Sequence, residues 1–408
     1  MNIKKSFIAL AVAGTFVTPV TVMAADGMMH GPSNVTIYGQ MNASIDSIKS
    51  DNGVTVGTLE STANHLSSNE SRIGFKGSED MGGGLSAIWQ IESQVNLDND
   101  SAGLGNPNGD NTAIGNPRTT AALGVGTRNT FVGLSSAQMG TVLAGRHDTP
   151  YKISTRMLDP FRFTLADNRS IMGHLLHDDF LGNVVGYVSP TMNGLSVAAG
   201  TVFGSEGVAP AIPAESKSTT LSLAGMYTMG GLYGTIAYQT VKLGTAAGTF
   251  GGGVGATPDE FNALKIGGSY SMDAGGMATK VSVVYEMLDH QNFGGNAAVS
   301  LEDSNLYLAG ELSVTSAIKV KAAYTQAADT TATGTVIPGS TGATQFTVGA
   351  DYGLSARTTM YALYTSLSND INSGAGHARA MLGPQSTARS VAGALDATAL
   401  SIGVRHTF

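Results

Sequence analysis

Counted back from the C-terminus in steps of two, the chain reads Phe408, His406, Val404, Ile402 and Leu400, with Thr407, Arg405, Gly403 and Ser401 between them. An apolar or ring-bearing face against a polar or small face at period two describes one β-strand with lipid on one side and water on the other. A chain that ends mid-strand on an exposed aromatic needs a pairing partner. A closed barrel supplies it, because the last strand pairs with the first and leaves no free edge in lipid.

The same alternation predicts sixteen strands. The first covers 35–43, apolar or small at odd positions, and the next ones fall at 72–77, 85–92, 129–135 and 140–146. Later strands alternate more cleanly. Leu306, Leu308, Gly310, Leu312 and Val314 are interleaved with Tyr307, Ala309, Glu311 and Ser313. Ile318, Val320, Ala322 and Tyr324 are interleaved with Lys319, Lys321, Ala323 and Thr325. Short connections carry turn residues, as at 229–231, 273–276, 315–316 and 353–356. Long polar connections are expected near 47–70, 95–128, 147–181, 204–217, 243–261, 289–303, 328–343 and 369–397. Strict alternation of short and long connections predicts an all-β, 16-stranded antiparallel transmembrane β-barrel, with short periplasmic turns and long extracellular loops. Tyr38, Tyr227, Tyr238, Tyr270, Tyr285, Tyr324, Tyr352 and Phe408 fall near strand ends, where interfacial girdles sit.

The N-terminus adds a location. Lys4 and Lys5 precede an apolar stretch over 7–17, and Val22-Met23-Ala24 offers small residues at a cleavage site. Residues 1–24 therefore read as a secretory signal peptide, and 25–408 as a single barrel domain. There is no cysteine, so neither disulfides nor thiol chemistry enter. Without Lys4 and Lys5, 20 basic residues face 30 acidic ones, which argues against a nucleic-acid partner. No apolar run approaches the ~18 residues of a membrane helix. The 54 glycines and 13% charged residues suit one large barrel better than several soluble domains.

Several segments resemble the Gram-negative general porins, particularly the beta-proteobacterial and neisserial branch. They are Asn34-Val-Thr-Ile-Tyr-Gly-Gln40, Ser71-Arg-Ile-Gly-Phe-Lys-Gly-Ser-Glu-Asp80, Arg128-Asn-Thr-Phe-Val-Gly-Leu134, Gly140-Thr-Val-Leu-Ala-Gly-Arg146, Tyr352-Gly-Leu-Ser-Ala-Arg-Thr358 and Gly403-Val-Arg-His-Thr-Phe408. The resemblance implies a homotrimer set among outer-membrane lipid and lipopolysaccharide, passing ions and small hydrophilic solutes passively. It also implies that Val404, His406 and Phe408 form a C-terminal signal read by the β-barrel assembly machinery.

A barrel of this strand number encloses more lumen than side chains fill, so selectivity needs something inside it. In the family the third outer loop folds inward opposite a row of basic wall residues, and the matching connection here is about 147–181. It carries Asp159, Asp167, Asp178 and Asp179 among Arg156, Arg162 and Arg169, with Tyr151, Phe161 and Phe163 to pack it. On the second strand Ile73 and Phe75 mark the lipid face, so Arg72 and Lys76 point to water. Arg72 and Arg146 match basic wall positions of the family, and Gln40 falls where many relatives carry Lys. Asp159 and Asp167 are the expected loop acids, although the loop lacks the family's Pro-Glu-Phe-Gly stretch. Lys265, Lys280, Lys319 and Lys321 also face the lumen by parity, and the sign of the ion preference stays open.

No catalytic constellation emerges and no cofactor is expected. His174, His177, Asp178 and Asp179 have a spacing a metal could use, but no strand gathers them, and Gly251-Gly-Gly-Val-Gly255 precedes no helix. A diffusion porin leads. A substrate-selective channel would show a row of lumen aromatics, and a barrel enzyme would cluster acid, His or Ser groups on lumen strands. Adhesion through the outer loops is compatible with any of these.

Overall fold

The computed structural model describes residues 34–51, 61–97, 125–172, 177–178, 180–203, 219–243, 259–293, 296–337, 339–370, 381–382, 389–390 and 396–408. The expected signal peptide, most of the connections expected at 95–128, 204–217, 243–261 and 369–397, His174, Asp179 and the 251–255 glycine run lie outside the described residues.

Twenty strands occur among the described residues. They are β1 (Asn34–Asp51), β2 (Ser61–Ser68), β3 (Arg72–Asp80), β4 (Leu85–Gln94), β5 (Thr130–Ser136), β6 (Gly140–Asp148), β7 (Phe180–Val188), β8 (Leu195–Val202), β9 (Thr219–Met229) and β10 (Leu232–Lys242), followed by β11 (Glu260–Ala274), β12 (Met277–Gln291), β13 (Ser300–Ser313), β14 (Ile318–Ala327), β15 (Thr331–Thr333), β16 (Ala343–Gly353), β17 (Thr358–Asn369), β18 (Met381–Leu382), β19 (Arg389–Ser390) and β20 (Asp396–Thr407). β18 and β19 pair only with each other. The others form one antiparallel sheet, closed where β20 pairs with β1 from Gln40↔Thr407 to Asp51↔Asp396. β2 and β3 lie end to end along β1, and β15 prolongs the line of β14 along β13. The wall therefore has sixteen strands.

The sequence pattern sets which face is which. Ile37 and Ile45 are 54% and 68% exposed, whereas Asn42, Ser44 and Asp46 on the same strand are buried inside the barrel. Leu400, Ile402 and Val404 likewise face outward on β20. Tyr238, Tyr270, Tyr285 and Tyr352 are exposed on the outer face as a girdle requires. Tyr38 departs from that expectation. It shares the inner face with Gln40 and donates its hydroxyl to Glu92 Oε2 at 2.9 Å.

Several connections read as loops contain strand, including the β18–β19 pair inside the expected 369–397 loop. β1 continues to Asp51 and β2 occupies Ser61–Ser68 inside the expected 47–70 loop, while β15 lies inside the expected 328–343 loop. These pieces are mostly polar. Backbone pairing continues there without the apolar alternation from which strands are read.

Closure depends on one small residue. Gly39 N–H donates to the Phe408 carbonyl at 3.0 Å, and Phe408 N–H donates back to Gly39 at 3.1 Å. A Cβ at Gly39 would collide with Cζ of the Phe408 ring and stand 2.7 Å from the Arg72 carbonyl. Gly39→Leu is expected to evict the Phe408 ring and lower the yield of folded barrel, read as loss of the heat-modifiable band on gels. An unchanged folded fraction would count against this packing.

Candidate functional site

Between β6 and β7 the chain turns into the barrel instead of away from it. Thr149 caps a single-turn helix α1 (Pro150–Thr155), accepting from Lys152 N–H, and Pro150 takes the first turn, where its missing N–H costs nothing. Tight helical turns follow at Arg156–Leu158 and Asn168–Ser170. The apolar side chains of this segment are buried against the inner wall. Leu158, Phe161 and Met172 pack on Tyr233, Val284, Tyr307, Tyr361 and Leu363. Leu165 and Ile171 pack on Ala327, Ala343, Ala397 and Ala399, and Tyr151 packs on Ala224, Ala237 and Ala263. Alanines on the inner face make the room, and each large side chain buried there contributes about 1.5–3 kcal/mol.

Polar bonds fix the segment around the wall. Asn42 Nδ2 donates to the Phe163 carbonyl at 2.7 Å, and the Tyr233 hydroxyl to Ser154 O at 2.5 Å. Lys280 Nζ donates to Met157 O at 2.6 Å, and Lys321 Nζ to Pro160 O at 3.0 Å. Asp178 meets Lys265 Nζ at 3.0 Å, and Glu286 accepts from the Tyr151 hydroxyl at 2.5 Å. The inward-folded loop is thus tied to β1, β10, β11, β12 and β14.

The loop acids do not face open water. Asp159 accepts from the Tyr307 hydroxyl at 2.7 Å and from the N–H groups of Phe161 and Asn168. Burial, then the charge of Asp167, hold its carboxyl above the usual range. Asp167 is fully buried. It takes both Nη atoms of Arg156, at 3.2 and 3.1 Å, the Phe163 N–H at 3.0 Å, and Arg169 Nε at 3.3 Å. Burial alone would raise its pKa, but Arg156 and Arg169 hold it well below the carboxylate range.

The basic residues fall into two groups. Arg128 pairs with Glu70 and with Glu92, the latter at 2.6 Å, and Arg169 reaches the same Glu70 at 3.3 Å. Glu70 therefore joins loop to wall. It sits at φ 58 in the break between β2 and β3, inside the expected 47–70 loop and without periodic signal. Sequence reasoning assigned no role to Glu70, Glu92 or Arg128. The second group surrounds Phe163, whose ring centroid lies 4.9 Å from Arg72 Cζ, 5.4 Å from Arg156 Cζ and 4.5 Å from Arg162 Cζ. Arg162 has no carboxylate within 4.0 Å among the described residues, whereas Arg72 is 3.7 Å from Glu92. Burial, then Arg156 and Arg72, push the Arg162 pKa down to about 10, so it stays a cation at neutral pH.

Lys76 lies on the same inner face as Arg72, 5.2 Å over the Tyr38 ring. Arg146 lies at a β-bulge between Gly145 and His147 and donates to Thr127 O at 3.0 Å. Lys265, Lys280, Lys319 and Lys321 point inward, as parity indicated, but all four are paired with acids. His177 is buried beside Tyr151 and Phe261, and burial holds it down to about 3, so it stays neutral.

Residues 9–372 match the family model described as Gram-negative porin. Over 199 residues the chain is 32% identical to the major outer membrane protein P.IB of Neisseria sicca, covering 48% of this chain and 46% of that protein. The chain thus aligns with less than half the length of that relative. The fold is similar to an anion-selective porin from Comamonas acidovorans, with TM-score 0.68 at 21% identity over 92% of this chain and all of that one. It is also similar to the trimer form of OmpT from Vibrio cholerae, with TM-score 0.62 at 16% identity over 92% and 99% of the two chains.

Proposed function

The chain belongs to the Gram-negative porin family, and from that premise we propose that it forms a water-filled outer-membrane channel for passive diffusion of ions and small hydrophilic solutes, without catalysis. One observation carries the reading. The barrel is apolar outside, and its inward charges keep solvent: Lys319 is 43% exposed, Arg405 28%, Lys280 26% and Arg72 18%. A packed core would not leave lysine and arginine wet, whereas an aqueous lumen narrowed by an inserted segment would. Opposed charges in that neck orient polar solutes and disfavour apolar ones. Arg72, Lys76, Arg146 and Arg162 are the residues we assign to the constriction and lumen wall, whereas buried Asp159, Asp167 and Arg169 hold the inserted segment in shape.

In planar bilayers the protein is expected to insert with stepwise, ohmic openings in groups of three, matching a homotrimer. Correctly folded protein that conducts nothing would overturn the channel reading. The reading extends to biogenesis and surroundings, with lipid and lipopolysaccharide around the wall and Val404, His406 and Phe408 read by the assembly machinery. Deleting Phe408 removes the residue that exchanges backbone bonds with Gly39. It should reduce folded protein in the outer membrane severalfold while leaving export intact, as fractionation and immunoblotting would show. Equal outer-membrane levels with and without Phe408 would refute that role.

A further inference from the structure

One buried acid of the wall has no partner in the protein. Asp46 lies on the inner face of β1, fully buried, and neither carboxylate oxygen is hydrogen-bonded among the described residues. No lysine, arginine or histidine forms an ion pair with it there, although His65 stands opposite on β2. A carboxylate stripped of water and left unpaired is among the costliest groups a fold can bury, so its charge calls for a partner.

The layers on either side of Asp46 are already complete. On one side, Asn69 Nδ2 donates to Ser44 Oγ at 2.8 Å and to the Tyr361 hydroxyl at 3.1 Å. That hydroxyl in turn donates to Asn42 Oδ1 at 3.0 Å, so this polar group bonds within itself. On the other side, Ile48 and Ala399 join Leu165 and Ile171 of the inserted segment in an apolar cluster. Two hydroxyls remain. Ser401 stands directly opposite Asp46 on β20, and Ser67, opposite Ser44, lies diagonally across on β2. Both serines are buried, and neither Oγ has a partner among the described residues. Opposite Cβ atoms stand about 4.5–5.5 Å apart and diagonal ones about 7–8 Å, which leaves room for one ion between the three side chains.

We propose that Asp46, Ser67 and Ser401 form a binding site for one monovalent cation of the sodium type, between the barrel wall and the inserted segment. The donors select the ion. All are oxygen, which suits a hard cation, and together they carry one negative charge, which a monovalent ion neutralises. Calcium takes about six to eight oxygens and would bring a second charge with nothing to offset it. Among the described residues, no group of three acidic, His or Cys side chains is placed to hold a metal ion. The bound cation neutralises the layer on which Leu165 and Ile171 close, and this seating role needs no ion flow.

Thermal melting of the full-length folded protein in detergent tests the site. Sodium chloride replaces choline chloride at constant ionic strength, so that screening stays the same. The wild-type midpoint is expected to rise saturably with sodium, by about 3 °C or more. Asp46→Asn should lose the sodium response, and Ser401→Ala should need severalfold more sodium to reach half of the rise. Sodium-independent melting of wild type, or an Asp46→Asn protein that still responds, would overturn the site. A response to calcium chloride alone would overturn the monovalent assignment. Where Asp46→Asn does not fold, Ser401→Ala decides, and an unchanged half-saturating sodium concentration would overturn the site.

Discussion

Asp167→Ala is expected to unlatch the inserted segment and raise single-channel conductance while leaving the barrel closed. The fully buried carboxylate holds both Nη atoms of Arg156, Arg169 Nε and the Phe163 N–H. Removing it strands the buried Arg169 guanidinium and the half-buried one of Arg156 and releases the φ 64 backbone at Phe163, a loss of about 3–5 kcal/mol for a broken buried pair. The wall does not share this cost, because its strands are fixed by continuous ladders from β1 round to β20. Larger and noisier openings, with faster entry of larger sugars in liposome swelling, are the expected readouts. Asp167→Asn, which keeps one acceptor oxygen, should fall between. A folded Asp167→Ala channel with wild-type conductance would show that the latch lies elsewhere.

The same carboxylate sets an acid limit. Its folded pKa lies below the unfolded value, so its contribution is complete above about pH 4 and is lost as pH falls through the lower folded value. Asp159 is shifted the other way and takes up its proton at higher pH in the folded state, so mild acid does not loosen the segment through that residue. Conductance should therefore hold steady from neutral pH to about 4 and rise only below. A rise already between pH 6 and 5 would exclude Asp167 as the controlling acid.

Lys265→Met is the second substitution with a large expected effect. Lys265 Nζ is buried 3.0 Å from Asp178 Oδ2, 3.5 Å from Glu286 Oε1 and 4.2 Å from the Tyr151 ring. Methionine would leave two buried carboxylates facing each other without their cation, again about 3–5 kcal/mol. Asp178 would lose the largest of the charges that oppose its burial and hold it below its usual range. The folded, heat-modifiable form should melt at lower temperature. Adding Glu286→Gln should recover part of the loss, since residues in one network couple by about 0.5–3 kcal/mol. Single and double variants that melt like wild type would show that this triad does not anchor the segment.

Much of the architecture was legible because a membrane wall imposes period two on every strand. Ile37, Ile45, Ile402 and Val404 face outward as the alternation indicated. The short turns were legible from their own chemistry. Asp80 accepts from Gly82 N–H at 2.9 Å and Asp273 from Gly276 N–H at 2.7 Å, both local bonds between turn residues. The polar ends were not legible, since β2 and β15 pair through backbone without an apolar face. Tyr38 was counted with the girdle residues from its place near a strand end, although its even position on β1 already put it on the inner face, where it meets Glu92.

The sequence by itself determined a closed barrel, its inner and outer faces, and a long charged connection able to enter the lumen. Lipid on one side and water on the other leave a periodic trace in any strand that separates them. Tertiary structure decided what those charges do. Asp159 and Asp167 read as acids facing the opening, yet Tyr307, Arg156 and Arg169 draw them inward, and Glu70 holds both Arg128, 58 residues on, and Arg169, 99 residues on. A charge's partner depends on which distant residues the closed wall brings within about 4 Å, and no local periodicity encodes that distance.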